Sequence, residues 1–322
     1  MSYDFEEIKK RGYLSEKENE DIYRREKIFE RYAAVAKSQK QPIAVIIGGQ
    51  PGSGKSSIAE RFKNDYEHSG IVHIDVDELR KYHPHVGSFN EKNDRLTSIY
   101  TGNDAGIWSQ KLVKDAVDNR FNMLYESTLK NVDNLLSHVD ILTRIGYEVE
   151  LKVLAIPYDI SMLSTYFRYE QPKANGDYGR FVHDKPMRDC YQNQTVTIEA
   201  LQQQGKLNSI EVYSREGNIF AGDYRTVDLK NIITAEQRRN FTSEEAKMLK
   251  SQWLDVCQMM LDRNAEEREF LRIENQMSSR IKECFNEKYP ENNYMLLIDV
   301  KNDFSRHFRQ SFNNALTSGV KM

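Results

Sequence analysis

A strand, a glycine-rich loop and a helix follow one another between residues 43 and 62, and that order constrains this chain more than any other feature. Residues 43–47 form an apolar, β-branched run, the composition of a strand buried on both faces. Gly49, Gln50, Pro51, Gly52, Ser53, Gly54, Lys55 and Ser56 then fit the phosphate-binding pattern G-x-x-x-x-G-K-[ST], and Ser57 opens a stretch of helix formers. Glycines let backbone N–H groups close around phosphate oxygens, and a helix N-terminus adds partial positive charge. Lys55 is placed to reach the outer phosphates and the Ser56 hydroxyl to bind Mg²⁺, so the pattern predicts ATP or GTP as ligand. The alternative, a glycine-rich turn with no ligand, leaves the flanking strand and helix unexplained.

Further strands are predicted at residues 71–75, 122–126, 149–155 and 210–213, with helical segments between most of them. Such alternation predicts an α/β fold: a mostly parallel sheet between two helical layers, the three-layer sandwich of P-loop NTPases, with ligands at the carboxyl ends of the strands. Residues 16–37, rich in Glu, Lys, Arg and Ala, read as one helix before the first strand. After about residue 223 the pattern changes. Thr242-Ser-Glu-Glu245 fits a capping box, and Leu249, Trp253, Val256 and Met260, then Phe270, Ile273, Met277, Ile281 and Cys284, recur at helical spacing. The chain therefore divides into an N-terminal helical segment (residues 1–41), a P-loop domain (42–223) and a helical C-terminal extension (224–322). The extension either packs on the core or presents a partner-binding surface.

With 322 residues the chain has enough core to fold without staples. Cys190, Cys257 and Cys284 have no short spacing among them, which argues against a disulfide framework or a zinc site and for buried thiols in a reducing compartment. The acidic start, Met-Ser-Tyr-Asp-Phe-Glu-Glu, lacks the apolar stretch of a signal peptide, and no segment approaches membrane-spanning length. A soluble cytoplasmic protein is expected, with no membrane partner. A net charge of −3 with 30% charged residues describes mixed surfaces, so bulk nucleic-acid binding is not expected.

Three further clusters fall where the predicted crevice opens. Asp75 ends the second predicted strand and Asp77 follows it; in a kinase a carboxylate there orients an acceptor hydroxyl and takes its proton. Asp77 lies beyond the strand and can reach the cleft, whereas Asp75 reads as structural or metal-facing; for either, helix N-capping is the competing role. Glu126 ends the third predicted strand, followed by Thr128 and Lys130, a set suited to sugar hydroxyls and phosphate oxygens, although a lone strand-end Glu is as often plain surface. Residues 168–180 form a polar, glycine-containing stretch bracketed by Arg168 and Arg180, either a lid that brings arginines to the phosphates or a solvated loop.

Taken together, these separated motifs resemble the zeta toxins, P-loop kinases of bacterial toxin–antitoxin systems. Gly-Gly-Gln-Pro-Gly-Ser-Gly-Lys-Ser, Ile-Asp-Val-Asp followed by Arg and His83-Pro84, Asp104-Ala-Gly-Ile-Trp108, Glu126-Ser-Thr128, Ala155-Ile-Pro157, Phe167-Arg-Tyr-Glu170, Arg180 and Ser214-Arg-Glu-Gly217 occur in family order over residues 43–223. The resemblance implies transfer of the γ-phosphoryl group of ATP or GTP, with Mg²⁺, to the 3′-hydroxyl of the amino sugar in UDP-N-acetylglucosamine, which starves cell-wall synthesis. It implies that Lys55 serves the phosphates, Asp77 is the base, Glu126 binds substrate, and Arg168 and Arg180 clamp the phosphates. It also implies an antitoxin whose helices occlude the nucleotide site, a role that a terminal segment of this chain could take in cis.

Two departures stand out: Ser127 where many relatives carry Gly, and Lys130 where an arginine often contributes, which removes a bidentate fork. Two rival classes remain open: a P-loop kinase for another UDP-sugar, small molecule or polynucleotide, and a nucleotide-gated interaction module. A module has no need of an acceptor base such as Asp77.

Overall fold

A computed structural model of the chain describes residue 7 and residues 10–317; residues 1–6, 8 and 9 of the N-terminal segment and 318–322 of the C-terminal extension lie outside the described residues. Up to Ile156 the elements are α1 (Glu16–Arg25), α2 (Ile28–Tyr32), β1 (Ile43–Gly48), α3 (Lys55–Asp65), β2 (Val72–Ile74), α4 (Val76–Leu79), α5 (Val86–Tyr100), α6 (Gly102–Asp118), β3 (Met123–Ser127), α7 (Val132–Arg144) and β4 (Glu148–Leu154). There follow α8 (Tyr158–Ala174), α9 (Asp184–Gln204), β5 (Ser209–Tyr213), β6 (Asn218–Ala221), α10 (Leu229–Arg238), α11 (Ser243–Asp262), α12 (Glu267–Asn286) and α13 (Glu291–Thr317). Two compact units result: Met1–Ile156 with Arg180–Ile233, and Pro157–Gly179 with Thr234–Met322.

The first unit is built on a six-stranded sheet of order β2-β3-β1-β4-β5-β6, parallel except for β6. β1 lies between β3 and β4, and Ala44, Val45, Ile46 and Ile47 are all buried, which is why its sequence is apolar without alternation. Gly48 pairs in register with Ser127 of β3 and Val153 of β4, so the segments that follow these strands emerge at one end of the sheet. The five predicted strands are present. β6 was not predicted: it is a four-residue antiparallel edge strand with three exposed positions, too short and too polar to show a period.

Residues 16–37 do not form the single predicted helix. Lys27 adopts a left-handed φ of +50° and separates α1 from α2, after which residues 33–42 leave helical geometry. The segment is part of the core all the same. Ile22, Tyr23 and Ile28 are buried with the sheet residues, the Trp108 indole donates to Asn19 O at 2.9 Å, and Asn19 Nδ2 donates to the buried Asp104 Oδ1 at 2.9 Å.

In the second unit the predicted capping box forms as expected: Glu245 N–H donates to Thr242 Oγ1 at 3.1 Å and Thr242 N–H to Glu245 Oε2 at 2.8 Å. The periodic tail becomes three helices, α11 to α13, with Leu249, Trp253, Val256, Met260, Phe270, Ile273, Met277 and Cys284 buried. Helix α8 packs against α11, where the Tyr166 and Trp253 rings lie 5.4 Å apart. Two buried carboxylates of α8 are paired: Arg280 donates to Asp159 at 3.0 and 3.1 Å, and Arg263 to Glu170 at 2.6 and 2.9 Å. All three cysteines are buried free thiols. Among the described residues, no helix is long and apolar enough to cross a membrane.

Candidate active site

The glycine-rich loop begins as β1 ends and closes on the N-terminus of α3. Gly52 and Gly54 take φ of +78° and +96°, values that L side chains rarely adopt, and a Cβ on Gly49 would stand 2.7 Å from Ser53 Oγ. Ser53 itself is buried, and its hydroxyl has no partner among the described residues, an orphan donor inside the cradle. Gln50 Nε2 donates to Ile156 O at 2.8 Å, and Arg215 Nη2 donates to Gly52 O at 3.3 Å, so the loop is pinned from two sides. Lys55 Nζ donates to Gly49 O at 2.9 Å and Gln50 O at 3.2 Å, which folds the ammonium back over the loop. Ser56 and Ser57 are exposed in the first turn of α3, where Ser57 N–H donates to the N-cap carbonyl Gly54 O at 3.1 Å.

Carboxylates enter from the neighbouring strands. Asp75 caps α4 by accepting from Asp77 N at 2.8 Å, so the capping role belongs to Asp75 and leaves the Asp77 side chain for other partners. Asp77 receives two guanidinium groups: Arg80 Nε donates to Oδ1 at 3.0 Å, and Arg180 Nη1 donates to Oδ2. Glu126, at the end of β3, is largely buried, with Oε1 3.2 Å from His73 Nε2. Burial first, and Glu126 second, push the Asp75 carboxyl above its ordinary range. Burial lowers the Lys55 ammonium to about 8, against the opposing pull of Glu126 and Asp75 and helped by Arg180, so these charges act on one another in a single cleft. Burial also lowers Arg80 and Arg180 to about 10, leaving both charged at neutral pH.

The structure thus brings together Lys55, Asp77, Glu126 and Arg180. Thr128 is exposed beside the Cys190 thiol, whereas Lys130 forms an ion pair with Asp189 at 3.0 Å. Arg168 is a correction: α8 continues through Pro172 to Ala174, so this arginine sits exposed on a helix of the second unit rather than on a lid loop. The cluster described above is made of first-unit residues alone. Sequence reasoning quoted Arg80 within a family motif but gave it no role, and did not single out His73. The spacing of Arg80, three residues after Asp77 on a helical turn, was a usable signal. His73 had none, because its approach to Glu126 depends on the parallel register of β2 and β3.

The chain is similar to several known proteins. The family model described as Zeta toxin matches residues 26–225. The chain is 34% identical over 215 residues to Toxin PezT of Streptococcus pneumoniae serotype 4, covering 66% of this chain and 85% of that protein. It is 25% identical over 267 residues to Toxin zeta of Streptococcus agalactiae, covering 83% and 92%. Its fold is similar to a chain in the structure of the PezAT chromosomal toxin–antitoxin system of Streptococcus pneumoniae, with a TM-score of 0.66, 24% identity, and 78% of this chain and 99% of that one covered.

Proposed function

The chain belongs to the zeta toxin family, and from that premise we propose that it is a kinase transferring the γ-phosphoryl group of ATP, or GTP, to the 3′-hydroxyl of the amino sugar in UDP-N-acetylglucosamine. The observation that carries the reading is Asp77, a carboxylate on α4 just past β2, held by two arginines in the same charged cleft as the P-loop lysine. A nucleotide switch needs no such group; a hydroxyl-accepting kinase needs a base there.

In the proposed reaction the loop N–H groups and the Ser53 hydroxyl receive phosphate oxygens, and Lys55 leaves its own loop carbonyls for the β- and γ-phosphates. Asp77 accepts the proton of the sugar hydroxyl as its oxygen bonds to the γ-phosphorus and the bond to the β-phosphate oxygen breaks, with ADP leaving in line. Arg180 neutralises the charge that spreads over the transferred group. Glu126, oriented by His73, holds the sugar, with Thr128 and Lys130 at the rim. The oxygen donor fits Mg²⁺: the Ser56 hydroxyl is exposed in the first turn of α3, directly after the P-loop lysine. Mg²⁺ held by Ser56 and the phosphates would neutralise developing charge.

Phosphorylation of this precursor would withdraw it from cell-wall synthesis, and we place the action in the cytoplasm, where such nucleotide sugars are consumed. The naming of relatives as toxins, one from a toxin–antitoxin system, supports an antitoxin protein as the partner. The direct test is incubation with Mg-ATP and UDP-N-acetylglucosamine, followed by mass spectrometry. A sugar nucleotide heavier by one phosphoryl group, absent with Asp77→Asn, is the expected result; no product despite ATP binding would move the assignment to another acceptor.

A further inference from the structure

We propose that Arg80 is a positioning residue for Asp77: it holds the base throughout the reaction, whereas Arg180 holds it only until a phosphate is offered. The inference rests on the kinase reading above. The two arginines on Asp77 are anchored differently. Arg80 spends its fork on fixed neighbours: Nε on Asp77 Oδ1 at 3.0 Å, and Nη1 on Ser98 O at 2.5 Å and Thr101 Oγ1 at 3.1 Å. Thr101 is fully buried and its hydroxyl is itself fixed by donating to Thr97 O at 2.8 Å. Gly102 completes the seat, since a Cβ there would lie 3.3 Å from Arg80 Nη1.

Arg180 has no such seat. Its Nη1 donates to Asp77 Oδ2, and its Nε is buried with no partner among the described residues. A buried, unpaired guanidinium N–H is costly, and a phosphate oxygen satisfies it, so Arg180 gains by turning to an anion while Arg80 gains nothing. Once Arg180 turns, Oδ2 is vacated and Oδ1 remains pinned. The acceptor O–H bond then breaks with its proton passing to Oδ2, as the new O–P bond forms and ADP departs with the electron pair of the old one. A lysine cannot reproduce the arrangement, because one ammonium does not span Asp77, Ser98 and Thr101 in a plane. The charged groups facing Asp77 are therefore Arg80 and Arg180, with Asp75 receiving its backbone N–H.

The experiment compares the full chain with Arg80→Ala and Arg80→Lys, by steady-state kinetics with Mg-ATP and UDP-N-acetylglucosamine and by carboxyl ¹³C NMR titration of Asp77, assigned with Asp77→Asn. Arg80→Ala should lower kcat roughly 10- to 100-fold with KM for ATP within about twofold, and should move the Asp77 midpoint to higher pH, because a neighbouring cation favours the ionised form. Arg80→Lys should restore the midpoint and only part of kcat. A kcat within about twofold of the parent in Arg80→Ala, or a lowered kcat with an unmoved midpoint, overturns the proposal. If Arg80→Ala does not fold, parent-like kcat in Arg80→Lys overturns it instead. Should the parent fail to phosphorylate the UDP-sugar, the acceptor assignment falls, and the NMR midpoint still decides the role of Arg80.

Discussion

The Arg180 guanidinium donates a hydrogen bond to Asp77 across 103 residues of sequence. The residue assigned to clamp phosphate and the residue assigned to take the proton thus hold each other. Engagement of either with its substrate requires the pair to part. Asp77→Asn weakens the pair without removing a phosphate ligand, so it should bind Mg-ATP as tightly as the parent or more tightly. Its kcat should fall about 10²- to 10⁴-fold, the usual contribution of a general base. Calorimetric binding beside turnover checks both halves; lost ATP binding would mark Asp77 as structural.

Lys55 titrates near 8 because burial disfavours its charge. Its charged form is the one a phosphate binds, so ATP should raise that midpoint and bring a proton with it. ATP affinity should therefore decline as pH rises from 7 to 9, and binding near pH 8 should be accompanied by proton uptake. The slope of calorimetric heat against buffer ionisation enthalpy measures it; no uptake at pH 8 would show that Lys55 is already fully charged there.

Asn19 ties the N-terminal segment to the core by donating to Asp104, a fully buried carboxylate that also accepts from Leu14 N at 3.3 Å. Asn19→Ala leaves that carboxylate short of a donor and should cost about 1–3 kcal/mol of stability. Chemical denaturation should show the loss while kcat of the folded protein stays unchanged. Raised turnover would instead reveal the segment as a restraint in cis. Point substitution is the cleaner probe, because deleting residues 1–37 also removes Ile22, Tyr23 and Ile28 from the core.

Arg280 and Asp159 form a buried bidentate pair in the second unit, with side-chain exposures of 4% and 3%. Arg280→Met strands the carboxylate and should destabilise this unit by about 3–5 kcal/mol. A double substitution, Arg280→Met with Asp159→Asn, should recover part of the loss. Equal stability of single variant and parent in urea denaturation would show that the pair contributes nothing net.

Local chemistry wrote much of this protein legibly. The G-x-x-x-x-G-K-S spacing, the apolar run before it and the Thr242 capping box each depend on residues within a few positions of one another, and each takes the expected form. The family, too, was readable, because its motifs are short and ordered. The break at Lys27, the continuation of α8 through Pro172 and the edge strand β6 were not, since propensity is weak and packing overrides it.

By itself the sequence determined the strand–loop–helix nucleus, the alternation that makes a parallel sheet, and the residue types available for phosphate and acceptor chemistry. Only the tertiary structure decided that Asp75 rather than Asp77 caps the helix, that Arg80 and Arg180 meet on one carboxylate, and that His73 lies against Glu126. Capping and periodicity are set within a turn or two of chain. Which distant charges share a cleft is set by strand register and by the path of segments more than a hundred residues apart, and no local pattern encodes that.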